Sequence, residues 1–287
     1  MESALMVEGV SGGVIALTAD HLPQAHGLSQ ALVWPYRLED WQFAHDLGRG
    51  FAVESANGKL VGTALWWPYG ETFATIGMII VSADAQRQGI GGRLMAALLA
   101  DAAGRRMTLI STNEGAPLYT RLGFKPFGFI TQHQAVLARV PRIDAAVPVR
   151  AARPEDRSAI EAVDERAAGM ERKQLLAAVM GIADTVVVER DGEVCGYGCV
   201  RRWGRGVVIG PVIARDQTDA RAIIATLASA YEGTFVRIDV TEACGLAPWL
   251  VEIGLPVVDR PVAMALGEPP QAMPGATLFA LSNQSLG

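Results

Sequence analysis

Apolar residues along this chain recur with a strand-like period of two and a helix-like period near 3.6, and the two periods succeed one another in nearly the same order twice. Val14 to Leu17 is a short apolar run followed by Thr18, Asp20 and a polar stretch, which predicts a strand leading into a helix capped near Thr18 or Asp20. From 38 to 47, Leu38, Trp41 and Leu47 stand among charges, as in a short amphipathic helix. Gly50 to Ser55, Leu60 to Trp67 and Phe73 to Val81 read as three strands. Asn57-Gly58 supplies the hairpin turn between the first two, and Pro68-Tyr69-Gly70 marks the next turn. Beyond Val81 a polar, glycine-containing turn from Ser82 to Gly92 leads into Leu94, Met95, Leu98 and Leu99 at helical spacing. Met107 to Ser111 predicts a strand, Ala116 to Leu122 a short helix stopped by Gly123, and Phe127 to Leu137 a final strand or hairpin. The resulting order is β-α-α-β-β-β-α-β-α-β, a mixed α/β domain over residues 1–140.

Arg139 to Val149 holds two prolines and little periodicity, and reads as a linker. The pattern then restarts. Val149 to Ala151 is a strand, and Arg153-Pro154-Glu155-Asp156 opens a helix. Thr185 to Glu189 and Val194 to Arg201 are strands around an Asp191-Gly192 turn. Gly206 to Ile213 is a strand, Asp219 to Tyr231 a helix, Phe235 to Val240 a strand, and Ala247 to Ile253 a short helix ending at Gly254. The chain therefore reads as two tandem domains of one architecture, 1–140 and 147–268, each a twisted mixed sheet flanked by helices. Residues 269–287, proline-rich at first, read as an irregular tail.

Composition narrows the classes. Half of the 287 residues are hydrophobic and 19% are charged, enough for sizeable cores and against disorder. A net charge of −5 argues against a bulk nucleic-acid binder, which needs a basic surface. Three cysteines are too few for a disulfide framework, and Cys195 and Cys199 have no nearby histidine to complete a zinc set, so no metal is expected. No basic stretch followed by an apolar run opens the chain, and no run nears the roughly 18 apolar residues that cross a bilayer. These features predict a soluble, cytoplasmic protein without a membrane partner; oligomeric state is not legible.

The informative segment is Val81-Ser-Ala-Asp-Ala-Gln86-Arg-Gln-Gly89-Ile-Gly91-Gly-Arg. A strand ends, a polar turn follows and a helix begins. Glycines 89 and 91 allow backbone angles other residues avoid. The amides of Gln86, Arg87, Gln88, Gly89, Ile90 and Gly91 would then face inward at a helix N-terminus, where donors and dipole together bind phosphate, with Arg87 and Arg93 adding charge. A tight turn without a ligand fits the same residues. A Walker loop does not, because Gly-Lys-Ser/Thr is absent, and neither does a three-glycine dinucleotide fingerprint.

Gln86-x-x-Gly89-x-Gly91 resembles the Q/R-x-x-G-x-G/A signature of the GCN5-related N-acetyltransferases, the GNAT superfamily. Asn113-Glu-Gly-Ala116-Pro-Leu-Tyr119-Thr-Arg-Leu-Gly123-Phe124 is similar to that family's second coenzyme motif, one helix and one strand downstream. The likeness covers roughly residues 13 to 138. It implies an acyltransferase that moves an acetyl group from acetyl-coenzyme A (acetyl-CoA) to a small amine by direct attack. It also implies roles. Met78, Ile79, Ile80 and Val81 would hydrogen-bond the pantetheine arm like another strand. The amides of Gln86 to Gly91 would hold the pyrophosphate, and Asn113 would contact the coenzyme arm. Tyr119 would protonate the leaving thiolate, and an N–H near Ile80 would polarise the thioester carbonyl.

The general base is open. Many family members carry a Glu on the fourth strand, whereas Phe73 to Val81 has no carboxylate. Glu71, His21, His26, His45 or a water chain are the alternatives, and Trp34, Trp41, Trp66 and Trp67 divide between core packing and an aromatic acceptor pocket. The second half resembles the degenerate C-terminal domain of tandem members. Ile209-Gly210-Pro211 is followed by no glycine pair, so that half should not hold pyrophosphate. Asp239 and Glu242, at a strand end, read either as acceptor-site carboxylates or as solvated loop residues. A non-catalytic acyl-CoA sensor and a protein-lysine acetyltransferase are the competing functions.

Overall fold

The computed structural model describes residues 12–142 and 146–287; residues 1–11 of the first expected domain and 143–145 of the expected linker lie outside the described residues. The first half runs β1 (Val14–Ala16), α1 (Leu22–Ala31), α2 (Leu38–Leu47), β2 (Arg49–Glu54), β3 (Leu60–Tyr69), β4 (Phe73–Val81), α3 (Ile90–Asp101), β5 (Arg106–Ser111), α4 (Ala116–Arg121) and β6 (Lys125–Val136). This is the predicted order. One turn differs: β3 continues through Pro68 to Tyr69, because Tyr69 is buried and its hydroxyl donates to the backbone oxygen of Leu286.

The second half runs β7 (Val149–Ala151), α5 (Arg157–Ala168), α6 (Lys173–Met180), β8 (Asp184–Arg190), β9 (Glu193–Trp203), β10 (Gly206–Ala214), α7 (Gln217–Ala228), β11 (Phe235–Thr241), α8 (Ala247–Glu252), β12 (Val257–Asp259), β13 (Val262–Leu266) and β14 (Thr277–Ala280). Where one helix was expected after Asp156 there are two. Gly169, at φ 66°, ends α5, and α6 buries Leu175, Leu176 and Val179. The segment from 269 is not wholly irregular. It contains β14 and buries Phe279, Ala280 and Leu281, a short apolar run that the prolines before it obscure.

Two compact units emerge, and they do not follow the linker. The first comprises residues up to Trp66 together with Gly77–Ala103. In it β2 pairs antiparallel with β1 (Val14↔Val53) and with β3 (Gly50↔Leu65), and β4 follows β3 in the sheet. Helix α3 buries Ile90, Leu94, Met95 and Leu98, each worth about 1.5–3 kcal/mol on burial. It can lie close to β3 because Gly62 has no side chain: a Cβ there would stand 3.0 Å from both Ile90 Cγ2 and Leu94 Cδ1. That packing sets the α3 N-terminus just past the end of β4.

The second unit comprises Trp67–Ile76 and the chain from Gly104 onward. Here the start of β4 runs parallel to β5, from Phe73↔Arg106 to Ile76↔Leu109. The order continues β5-β13-β6-β11-β14-β10-β9-β8-β7. Strand β13, from the second half of the sequence, lies between β5 and β6 of the first and is antiparallel to both (Met264↔Leu109, Ala263↔Gly128). The far part of β6 pairs with β11, from Ile130↔Thr241 to Val136↔Phe235. Strands β10 and β11 run parallel from Val207↔Val236 to Ile209↔Ile238. The β10 register then shifts, and β14 enters between them, meeting β10 at Val212↔Ala280 and β11 at Val240↔Ala280. Behind this sheet Arg172 and Asp164, both fully buried, form a two-bond ion pair (Nε–Oδ2 3.0 Å, Nη2–Oδ1 2.6 Å), and the Tyr197 hydroxyl also donates to Asp164.

Candidate active site

In the first unit, the Ser82 amide donates to Val61 O (2.8 Å) and ties the end of β4 to β3. A single 3-10 turn at Ala83–Ala85 follows, with Ala85 buried. Two left-handed residues then flank Gln88: Arg87 at φ 62° and Gly89 at φ 76°. Such alternation turns successive amides toward a common side, a concavity that suits an anion. The helical ladder opens with the Arg93 amide donating to Gly89 O (3.0 Å), so the amides of Ile90, Gly91 and Gly92 precede it. Buried Ile90 anchors the turn while Gln86, Arg87, Gln88 and Gly89 are exposed. A Cβ on Gly89 would meet nothing within 4 Å, so the demand for glycine there is conformational.

Two expectations change. The Gln86 amide donates to Ala83 O (3.4 Å), which removes it from the inward-facing set, and its side-chain Nε2 reaches back to Val81 O. Arg93 directs Nη1 to Gly12 O (2.8 Å), so its charge is used on the chain's own backbone. Arg87 remains in the turn itself.

On β4, Met78 is buried and adopts φ 51°, a left-handed angle inside a strand. That conformation costs a side-chain-bearing residue about 1–2 kcal/mol. Fully buried Thr63, on β3, donates its Oγ1 hydrogen to Met78 O (2.8 Å). A peptide unit is planar and trans, so with the Met78 carbonyl drawn toward β3 the Ile79 N–H points away from it. Sequence reasoning missed Thr63, because a threonine in a strand looks like ordinary strand filling. The remaining residues alternate, with Ile80 buried and Ile79 and Val81 half-buried.

Asn113 and Tyr119 belong to the second unit. Asn113 is exposed in the turn between β5 and α4, which Thr112 closes by accepting from the Gly115 amide (Oγ1, 3.2 Å) and the Ala116 amide (O, 3.1 Å). Tyr119 is buried, its ring edge-on to Phe124 with centroids 6.1 Å apart, and its hydroxyl makes no hydrogen bond among the described residues. Burial pushes its pKa up to about 12. Gly115 makes room for the ring: a Cβ there would lie 2.9 Å from Tyr119 Cε2. The sequence carried this glycine inside the second motif without showing its purpose.

The candidate bases are engaged locally. His21 Nδ1 accepts from the Thr18 amide (2.9 Å), which leaves Nε2 facing Glu54 (3.3 Å). His26 Nε2 lies 3.0 Å from Tyr36 O, and His45 Nδ1 3.5 Å from Asp46. Glu71 is exposed in the turn before β4. Trp41, Trp66 and Trp67 are core residues, and Trp34 packs edge-on against Tyr36.

The counterpart in the second half is built differently. At the start of α7 the Asp216 carboxylate accepts from the Asp219 amide (3.0 Å), so an internal anion already caps the helix. Asp219 is held by Arg190 through two bonds (2.6 and 2.5 Å). Asp239 is not a solvated loop carboxylate: it is fully buried, bonded to Arg237 (2.9 and 3.1 Å) and Gln284 (3.0 Å). Glu242 is exposed and paired with Arg260. The three cysteines are buried and free. Among the described residues no His, Cys, Asp and Glu cluster suits a metal ion, and no helix is long and apolar enough to cross a membrane.

Comparison with known proteins places these features. Residues 47–126 match one family model and residues 160–280 another, each described as an acetyltransferase (GNAT) domain. Together they span more than half of the chain. An uncharacterised N-acetyltransferase of Bacillus subtilis, YitH, is 27% identical over 281 residues, covering 96% of this chain and 98% of that protein. The crystal structure of a putative acetyltransferase from Pyrococcus horikoshii superposes with a TM-score of 0.81 at 20% identity, covering 100% of this chain and 99% of that one. A tandem GNAT protein from the clavulanic acid biosynthesis pathway gives 0.64 at 17% identity, over 89% and 98% of the two chains. The structural likenesses speak for the fold, and the two family matches for the kind of enzyme. This chain belongs to the GNAT acetyltransferase family and is an acyltransferase with two domains of that type in tandem.

Proposed function

We propose that the first half binds acetyl-CoA and transfers its acetyl group to the amine of a small molecule by direct attack. The observation that carries this reading is the pair of left-handed residues, Arg87 and Gly89, at the mouth of α3. With the unladdered amides of Ile90 and Gly91 they offer donors and a helix dipole to a pyrophosphate. The pantetheine arm would lie along Met78 to Val81, and Asn113 would meet it from its turn. In the second half the α7 N-terminus is capped by Asp216 and β14 lies between β10 and β11, which supports assigning no coenzyme to that half.

The chemistry needs little from side chains. The amine lone pair attacks the thioester carbonyl carbon, the carbonyl oxygen gains charge, the C–S bond breaks, and the nitrogen loses one proton as the thiolate gains one. The Ile79 N–H, turned away from β3, is the donor proposed for the developing oxyanion. Tyr119 is the donor proposed for the leaving sulfur. Its raised pKa keeps it a neutral phenol throughout the physiological range, so it enters the reaction with its proton in place.

Thiol release across an amine panel tests this. Tyr119→Phe should lower kcat by about 100-fold with acetyl-CoA affinity unchanged. Because burial raises the Tyr119 pKa to about 12, the deficit should be uniform from pH 6 to pH 10. A deficit that appears only on one side of neutrality would assign the proton to another group. Absence of turnover with every amine of the panel would leave a coenzyme-binding sensor.

A further inference from the structure

Thr63 has no place in either coenzyme motif, yet it makes a side-chain bond to the one left-handed residue of β4. Both partners are buried: Thr63 is 0% and Met78 3% exposed. Their bond joins residues 15 apart in sequence at 2.8 Å. Within a regular sheet a strand carbonyl is met by a neighbouring amide. Here the Met78 carbonyl is met by a hydroxyl, and the residue that bears it sits at φ 51°. A threonine hydroxyl has one hydrogen to donate and can rotate to suit a displaced acceptor, which a ladder amide cannot do. The neighbouring residue, Gly62, stands where a Cβ would lie 3.3 Å from Ile80 O and 3.0 Å from α3, so β3 is pressed closely on this part of β4. The two adjacent β3 residues thus act together: Gly62 admits the strand and Thr63 fixes the rotation of one peptide plane.

We infer that Thr63 is a positioning residue for acyl transfer: its hydroxyl holds the Met78–Ile79 peptide so that the Ile79 N–H is aimed at the thioester carbonyl. The inference rests on the coenzyme reading above and adds a residue that neither coenzyme motif contains. Its physical content is a lever. Thr63 touches neither coenzyme nor acceptor, but a planar trans peptide passes the direction of one carbonyl to the opposite N–H without loss. Releasing the carbonyl lets Met78 relax from its left-handed angle and swings the donor away. The effect falls on carbonyl polarisation and not on the amides of the pyrophosphate turn, which Thr63 does not bond.

The test uses the full chain and acetyl-CoA labelled with carbon-13 at the thioester carbonyl, and it needs no knowledge of the amine. Isotope-edited infrared spectra of the bound thioester report polarisation as a lowered carbonyl stretch. The wild type should show that lowering. Thr63→Val, nearly equal in shape, should lose at least half of it, and Thr63→Ser should restore it, while affinity for CoA lacking the acetyl group stays within about twofold in all three. With any amine that turns over, Thr63→Val should lower kcat about tenfold with little change in KM for acetyl-CoA. An undiminished shift in Thr63→Val would overturn the role of Thr63. Loss of CoA affinity in parallel with the shift would also overturn it, by showing a merely structural role. Failure of the wild type to bind CoA would instead overturn the coenzyme reading beneath it. Should Thr63→Val not fold, Thr63→Ala against Thr63→Ser carries the same comparison.

Discussion

Gly89→Glu is expected to weaken acetyl-CoA binding by at least about 100-fold, measured by calorimetry, with the fold intact by circular dichroism. Two effects act together. Gly89 sits at φ 76°, where a side chain costs about 1–2 kcal/mol, and relief of that cost moves the amides that follow. The carboxylate also places negative charge at the mouth of α3, where a pyrophosphate would have to approach. Because a Cβ at this position meets nothing within 4 Å, Gly89→Ala separates the two effects. It introduces no clash and no charge, and should weaken binding by only about tenfold through conformation alone. Unchanged affinity in Gly89→Glu would move the pyrophosphate to another part of the molecule.

Arg172→Leu should strongly destabilise the second unit. It leaves the Asp164 carboxylate fully buried with its cation removed, and breaking a buried pair from one side costs about 3–5 kcal/mol. For a chain of this size that corresponds to a fall in Tm of about 10 °C by differential scanning calorimetry. The double change Asp164→Leu with Arg172→Leu should recover much of the loss, because the expensive element is an unpaired charge rather than a missing attraction. Recovery should be incomplete, since the Tyr197 hydroxyl donates to Asp164 and would lose its acceptor. A Tm unchanged in the single variant would mean that water reaches Asp164.

Much of the fold was legible in the sequence because its signals are local. The Asn57-Gly58 turn, the amphipathic spacing of Leu38 to Leu47 and the change of period after Val81 each sit within one window, and each element formed where its pattern lies. What escaped was set by distant partners. Nothing near Val262 to Leu266 indicates that this strand lies between Met107 to Ser111 and Lys125 to Phe129, more than a hundred residues earlier. Nothing near Leu278 to Leu281 outweighs the prolines before it, yet pairing with Val212 and Val240 makes a strand there. The candidate site divides in the same way. Gly89 and Gly91 announce a turn by composition. The carbonyl that Thr63 secures and the ring that Gly115 accommodates exist only once β3 faces β4 and α4 has folded over its own approach.

The strand Thr277–Ala280, inserted between β10 and β11, gives the two halves unequal prospects. The groove between them is stoppered by the protein's own polypeptide, which reaches it from beyond the repeat. A coenzyme titration should accordingly saturate at one equivalent per chain, and two equivalents would mean the stopper can be displaced. The same insertion changes what substitution means on each side. Side chains along β10 and β11 answer to cohesion, while those along the outer part of β4 stay free to answer to chemistry.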